Sequence, residues 1–232
     1  MNAEADLLTH AEVDHIDRLV THYRRDLEVY RTLTDNLRNL VESSKLKSLC
    51  HSVRWRVKDP EHLRDKLRRK LIQSKQIGQA FDVSIDTLFE VVNDLSGIRL
   101  LHLHTSQFES IHAALVEVLE ENRFTLIEGP EAKTWDDEYR EYFQRHGVKV
   151  VPSKRMYTSV HYVITPNTRT RRTAEIQVRT LAEELWGEVD HTINYPVPST
   201  KLTCREQIKV LARLTSTCTR LVDSIFASEA ES

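Results

Sequence analysis

Glu175, Gln177 and Arg179 alternate with Ile176 and Val178 in the stretch 174–180. Such alternation is the pattern of a strand with one face in the core. An acid, an amide and a guanidinium would share the other face, a set suited to phosphates and a metal ion. Thr180-x-x-Glu183 has the form of a capping box, so the strand should turn straight into a helix. Polar edges held by a sheet are where α/β proteins present chemistry.

Other residues could join them. Arg54, Arg56 and Lys58 alternate along 50–58, and Lys66, Arg69 and Lys70 lie on the helix that follows, opposite Leu63, Leu67 and Leu71. The two basic groups could converge on a polyphosphate, although Lys/Arg runs are more often solvated faces. With five glycines and neither a P-loop nor Gly-x-Gly-x-x-Gly, side-chain cations rather than backbone amides would have to hold phosphates. In Asn93-Asp94-Leu95-Ser96-Gly97-Ile98-Arg99, Asp94 suits Mg²⁺ binding, or equally a turn salt-bridged to Arg99. The segment 154–161 leads a basic turn into a strand, with Tyr157, Ser159 and His161 expected on one face. That arrangement suits base stacking beside cations, or simply a cross-strand Tyr with a hydrogen-bonded His. Glu184, Glu188 and His191 are spaced to share one face of the last motif helix, but Asp190-His191 alone is too little for metal hydrolysis.

The elements that must position these groups read as follows. The first forty-odd residues form one long amphipathic helix, with Ile16, Tyr23, Tyr30 and Leu37 in register and Asp26 interrupting a second set. A helix capped by Asp59, with Pro60 at its first position, follows the strand at 50–58. Ser106-x-x-Glu109 should cap a helix to residue 122. Strands are expected at 96–104, 124–129, 148–151, 157–165 and 172–179, while 130–147 is charged and expected to be partly helical and partly mobile. A last helix carries Ile208, Leu211, Leu214, Cys218, Leu221 and Ile225 on one stripe. The class is α/β (α+β), a mixed sheet of about five strands with long N- and C-terminal helices.

Composition excludes several classes. A formal net charge of −2 gives no global attraction to nucleic acid or anionic membrane. Cys50, Cys204 and Cys218 are far apart and form no zinc-ligand spacing, as in a reducing compartment. No apolar run reaches membrane-spanning length and no signal segment opens the chain, so a cytoplasmic location is expected.

In order along the chain, Arg56-x-Lys58, Lys66-x-x-Arg69, Asp94-x-x-Gly-Ile-Arg99, Tyr157-x-Ser-x-His161 and Glu175-Ile-Gln-Val-Arg-Thr180, then Trp186 and Asp190-His191, resemble the synthetase domain of the RelA/SpoT family. The resemblance implies a nucleotidyltransferase-like fold over 48–196, with 1–47 a helical extension and 197–232 a C-terminal helix. It implies transfer of the β,γ-pyrophosphate of ATP to the ribose 3′-hydroxyl of GDP or GTP with release of AMP, as in alarmone synthesis. Arg56, Lys58, Lys66, Arg69 and Arg99 would bind ATP. Asp94 and Glu175 would be catalytic and hold Mg²⁺, Glu175 also activating the hydroxyl. Tyr157, His161, Gln177 and Arg179 would serve the acceptor. The family's hydrolase portion is missing from this stretch, which implies the small stand-alone type. Met156 stands where the family usually has Gly, His62 where it has Ser, and Glu184 where acceptor-contacting residues often lie. Acceptor identity therefore stays open among GDP, GTP, an adenine nucleotide and tRNA. The relatives include toxins that modify the 3′ end of tRNA, and Lys45, Lys47, Arg54, Lys154, Arg155, Arg169, Arg171 and Arg172 could form a local patch for it. An antitoxin partner, a homo-oligomer formed through the terminal helices and a catalytically inactive scaffold are further readings. Intact Asp94 and Glu175 argue against the scaffold.

Overall fold

The computed structural model describes residues 8–153, 155–169, 172–195 and 197–231. Helices α1 (His10–Arg25), α2 (Leu27–Ser43) and the short α3 (Leu46–Leu49) lead into strand β1 (Ser52–Val57) and helix α4 (Pro60–Gln76). A short α5 (Leu88–Val91), β2 (Ser96–His102), α6 (Phe108–Glu121), β3 (Phe124–Thr134), α7 (Asp137–Arg145) and β4 (Lys149–Pro152) follow. The chain ends with β5 (Ser159–Pro166), β6 (Ala174–Thr180), α8 (Leu181–Asn194) and α9 (Leu202–Ala230).

The strands form one six-stranded sheet in the order β1-β2-β6-β5-β3-β4, six rather than about five, and each overlaps one of the strand spans read from the sequence. β2 and β6 run parallel, as do β3 and β4, while the other neighbours are antiparallel. Ile98, Leu100, Val160, Tyr162, Ile164, Ile176 and Val178 project from one face into a core shared with α2, α6 and α7. The opposite face is left to the alternating polar residues. Register then sets them in rows. Arg56 lies opposite Gly97, which pairs with Glu175; Arg54 lies opposite Arg99, which pairs with Gln177, which pairs with His161. Beside this row β3 bulges at Gly129, whose φ is +90° and whose missing Cβ would fall 2.3 Å from the His161 carbonyl oxygen. No side chain fits there.

Four expectations change. The N-terminal helix is two helices, broken at Asp26, because its halves serve different partners. Ile16, Leu19, Val20 and Tyr23 of α1 pack with Leu63, Leu67 and Leu71 of α4, whereas Leu33, Leu37 and Val41 of α2 join the core under the sheet. The Asp26 carboxylate accepts a hydrogen bond from Arg172 at 2.5 Å. Ser106 does not cap α6; its hydroxyl donates to Asp223 of α9 at 2.6 Å. Tyr157 lies before β5 rather than in it, so strand alternation does not set its direction.

The stripe on α9 is the fourth. Leu214, Leu221 and Ile225 are exposed, and the helix instead buries Ile208, Ala212, Thr215, Ser216 and Thr219. The reason is polar pairing. Asp136, which caps α7, accepts from Ser216 at 2.9 Å and from Arg220 at 2.5 Å, and Asp223 takes the backbone N–H groups of Thr105 and Ser106. The buried Asp136 and the half-buried Asp223 need donors more than the core needs another apolar face. The segment 130–147 proves well ordered in type: β3 continues to Thr134 and α7 begins directly after Asp136.

Candidate active site

Arg54, Trp55, Arg56, Asp94, Gly97, Ile98, Arg99, Glu175 and Gln177 line one cleft on the polar face of the sheet. Four of these, Arg54, Arg56, Glu175 and Gln177, come from β1 and β6 positions that alternation alone would place there. Asp94 stands just before β2, where α4 passes beside it.

Asp94 is the centre of a cationic cluster. Lys58 reaches one carboxylate oxygen at 2.6 Å, Lys66 reaches the other at 2.8 Å, and Arg56 lies 3.5 Å away. The two basic groups read from sequence therefore do converge, with Asp94 between them. Burial works to raise the Asp94 carboxyl, but Lys66 and Lys58 outweigh it and hold it well below the usual carboxylate range. Burial likewise lowers Lys58 against the pull of Asp94, and it lowers Lys70. Arg69 stays outside this cluster. Its guanidinium lies over the Tyr195 ring, which also stacks on His191 and meets His62 edge-on. Tyr195 was not legible as a site residue, since only the turn after α8 brings it back to α4.

Glu175 is held from two sides. His161 Nδ1 lies 2.8 Å from one oxygen, and the Gln177 amide donates to the other at 2.8 Å. Burial pushes the carboxyl up, but the His161 hydrogen bond and then the Gln177 amide outweigh it, keeping the group below its ordinary value. A partly buried carboxylate is thus held toward its ionised form. His161 Nε2 is buried without a partner among the described residues.

Arg99 does not pair with Asp94. It donates to Glu184 at 3.0 Å and to Glu188 at 2.9 Å. Glu184 also takes Arg54 at 3.0 Å and pairs with Arg179. Arg179 is buried behind the cleft, its guanidinium against Gly187, where a Cβ would lie 2.8 Å from Nη1. Gly187 thus admits Arg179 under α8. Glu184 is the hub that local spacing did not reveal, because its partners come from three separate strands.

Tyr157 stacks on Trp186 of α8 with ring centroids 5.9 Å apart and a 15° interplanar angle. Trp186 is buried, and its indole N–H donates to the Ile208 carbonyl at 3.1 Å, so α9 holds the ring that holds Tyr157. Met156 adopts φ +62°, the left-handed conformation for which glycine is suited. Lys154 and Arg171 lie outside the described residues.

The donor set fits a Mg²⁺ ion that arrives with a triphosphate. Two carboxylates border one cleft, and no cluster of three His, Cys, Asp or Glu side chains suited to a metal is found among the described residues. Phosphate oxygens and water would have to complete the octahedron, as this ion prefers. No helix among the described residues is long and apolar enough to cross a membrane.

Residues 55–200 match the region found in RelA/SpoT proteins. Over 181 residues the chain is 24% identical to the GTP pyrophosphokinase YjbM of Bacillus subtilis (strain 168), covering 77% of this chain and 72% of that protein. The fold is similar to the small alarmone synthetase 1 of Bacillus subtilis bound to its product pppGpp, with TM-score 0.59, 20% identity, and 91% and 96% of the two chains covered. It is also similar to the same synthetase bound to AMPCPP, with TM-score 0.57, 18% identity, and 93% and 99% covered. By its ordered motifs and this match over most of its length, the chain belongs to the RelA/SpoT family.

Proposed function

We propose that the protein transfers the β,γ-pyrophosphate of ATP to the ribose 3′-hydroxyl of GDP or GTP, releasing AMP. The observation that carries this reading is Glu175: a partly buried carboxylate held in its ionised form by His161 and Gln177, in the same sheet row as Arg56 and on the same cleft as Asp94. The names of the similar proteins support it, one being a GTP pyrophosphokinase and another a synthetase bound to pppGpp.

In this reading Arg56 and Arg99 take the adenine side, while Lys58, Lys66 and Arg69 take the triphosphate. A phosphate oxygen is a better partner for Lys58 and Lys66 than sharing Asp94, so a triphosphate frees the aspartate as it binds. Asp94 and Glu175 would hold Mg²⁺, which when bound neutralises charge on the phosphoryl oxygens. Glu175 takes the proton from the 3′-hydroxyl as its oxygen bonds to the β-phosphorus. The bond from that phosphorus to the bridging α,β-oxygen breaks, and AMP leaves with the electron pair. Tyr157 stacks on the acceptor base, and His161 and Gln177 fix the Glu175 carboxylate. Arg179 orients the site through Glu184.

The test is label transfer. Purified protein with Mg²⁺ and ATP labelled at the γ-phosphate is incubated with GDP, with GTP, without an added acceptor, or with uncharged tRNA. Label on GDP or GTP supports the proposal. Label confined to tRNA, or no transfer in any mixture, contradicts it.

A further inference from the structure

Glu183 is 3% exposed and stands in the first turn of α8, where the sequence promises a capping box. Only half of that box forms. Thr180 Oγ1 accepts the Glu183 N–H at 3.2 Å, but the carboxylate does not return to Thr180. Instead its Oε2 accepts the backbone N–H of Thr158 at 3.0 Å. Its Oε1 has no donor among the described residues, and the residue borders a small cavity shared with His102, Thr105, Thr180 and Thr219. A buried carboxyl with one oxygen unmatched is costly unless it serves a purpose.

Its one strong bond falls on the residue after Tyr157. The segment is thereby tied to α8 twice, by the Tyr157–Trp186 stack and by the Thr158–Glu183 hydrogen bond. Met156, just before, is in left-handed backbone that a non-glycine residue does not choose unaided. Two ties and a strained neighbour mark a loop held in place rather than at rest.

We propose that Glu183 is a positioning residue for the acceptor nucleotide: its carboxylate, by holding the Thr158 N–H, fixes where the Tyr157 ring stands, and loss of its charge loosens that ring. The inference rests on the reading of Tyr157 as the acceptor's stacking platform. Burial raises the Glu183 carboxyl to about 7, opposed by the Thr158 N–H and by Arg179, and assisted by Asp136. Asp136 is itself paired with Arg220 of α9, while Arg179 is paired with Glu184; His102 and Tyr139 are the other titratable groups lining the cavity. A charge-assisted bond to Thr158 is stronger than a neutral one. The platform is therefore firm above neutrality and loose below it.

The experiment is calorimetric binding of GDP across neutral pH, in the presence of Mg²⁺ and a non-hydrolysable ATP analogue, with binding of the analogue alone as control. The wild-type chain should bind GDP about ten-fold more weakly one pH unit below the Glu183 midpoint than well above it, with analogue binding changing far less. Glu183→Gln keeps an oxygen for Thr158 but has no charge to lose, so its GDP affinity should be weaker and flat with pH. Thermal melting confirms that this variant is folded. If Tyr157→Ala weakens GDP binding while Glu183→Gln retains the wild-type pH dependence, this inference alone is overturned. If Tyr157→Ala leaves GDP binding unchanged, or the wild-type chain binds no GDP, the platform reading falls and the inference falls with it.

Discussion

His161 Nδ1 lies 2.8 Å from Glu175 Oε1, so the proposed base carries its own hydrogen-bond donor. That bond does most to oppose burial at Glu175. Replacing His161 by Phe keeps a ring and removes the bond, leaving burial to raise the carboxyl. Glu175 must be ionised to accept a proton, so activity would be lost at higher pH than in the wild type. The acid limb of the kcat profile should move to higher pH. An unmoved limb would separate His161 from Glu175.

Glu184 gathers three guanidiniums, from Arg54, Arg99 and Arg179. Both Glu184 and Arg179 are nearly buried, whereas Arg54 is 57% exposed. Glu184→Ala strands Arg179 and should cost about 3 kcal/mol in urea denaturation. Arg54→Ala breaks a solvent-screened pair and should cost about 0.5 kcal/mol or less. Glu184→Ala should also weaken ATP binding, because Arg99 loses the more buried of its two orienting partners.

Met156 at φ +62° invites a backbone test. Met156→Gly removes the strain but also the side chain that packs beside Trp186, so its stability should stay within about 1 kcal/mol of the wild type. Met156→Val puts a β-branched residue into left-handed backbone and should be about 1–2 kcal/mol less stable than the glycine variant. Equal melting curves for the two variants would remove backbone strain from the account.

His102 bonds the His104 carbonyl through Nδ1 at 2.8 Å, and burial lowers its pKa from 6.5 to about 4. Above 6.5 the ring is neutral in both folded and unfolded chains, and the shift contributes nothing. Between 6.5 and 4 only the unfolded chain takes the proton, so stability falls as pH falls, by on the order of 3 kcal/mol over the full window. His102→Asn should flatten the pH dependence of unfolding free energy in that range while leaving most of the stability at neutral pH.

Much of the cleft was legible because a strand has a fixed period. Once Ile176 and Val178 are core, Glu175 and Gln177 can only face the other way, and the same holds for Arg54 and Arg56 on β1. Asp59 capping α4 was legible for a similar reason, since a cap is a contact over two or three residues. What stayed hidden depends on distant partners. Nothing near Asp26 says that α1 will pack on α4 and α2 on the sheet. Nothing in α9 says that Asp136 will draw its Ser216–Arg220 side inward and leave Leu214 and Leu221 outside. Glu184 and Glu183 lie side by side on one helix, yet one meets arginines from strands far away and the other meets the Thr158 N–H. Local spacing could mark both as acids and could not tell their tasks apart.

The central claim is that Glu175 is the base, a role in the chemical step beyond any share it takes in holding Mg²⁺. Glu175→Gln keeps the shape and the partners' reach while removing the charge. Single-turnover transfer from γ-labelled ATP to GDP, measured beside the affinity for a non-hydrolysable ATP analogue, tests it most directly. The account predicts transfer reduced by at least about a thousand-fold with analogue affinity within about three-fold of the wild type. Transfer at near wild-type rate, or loss of analogue binding in step with loss of transfer, would contradict it.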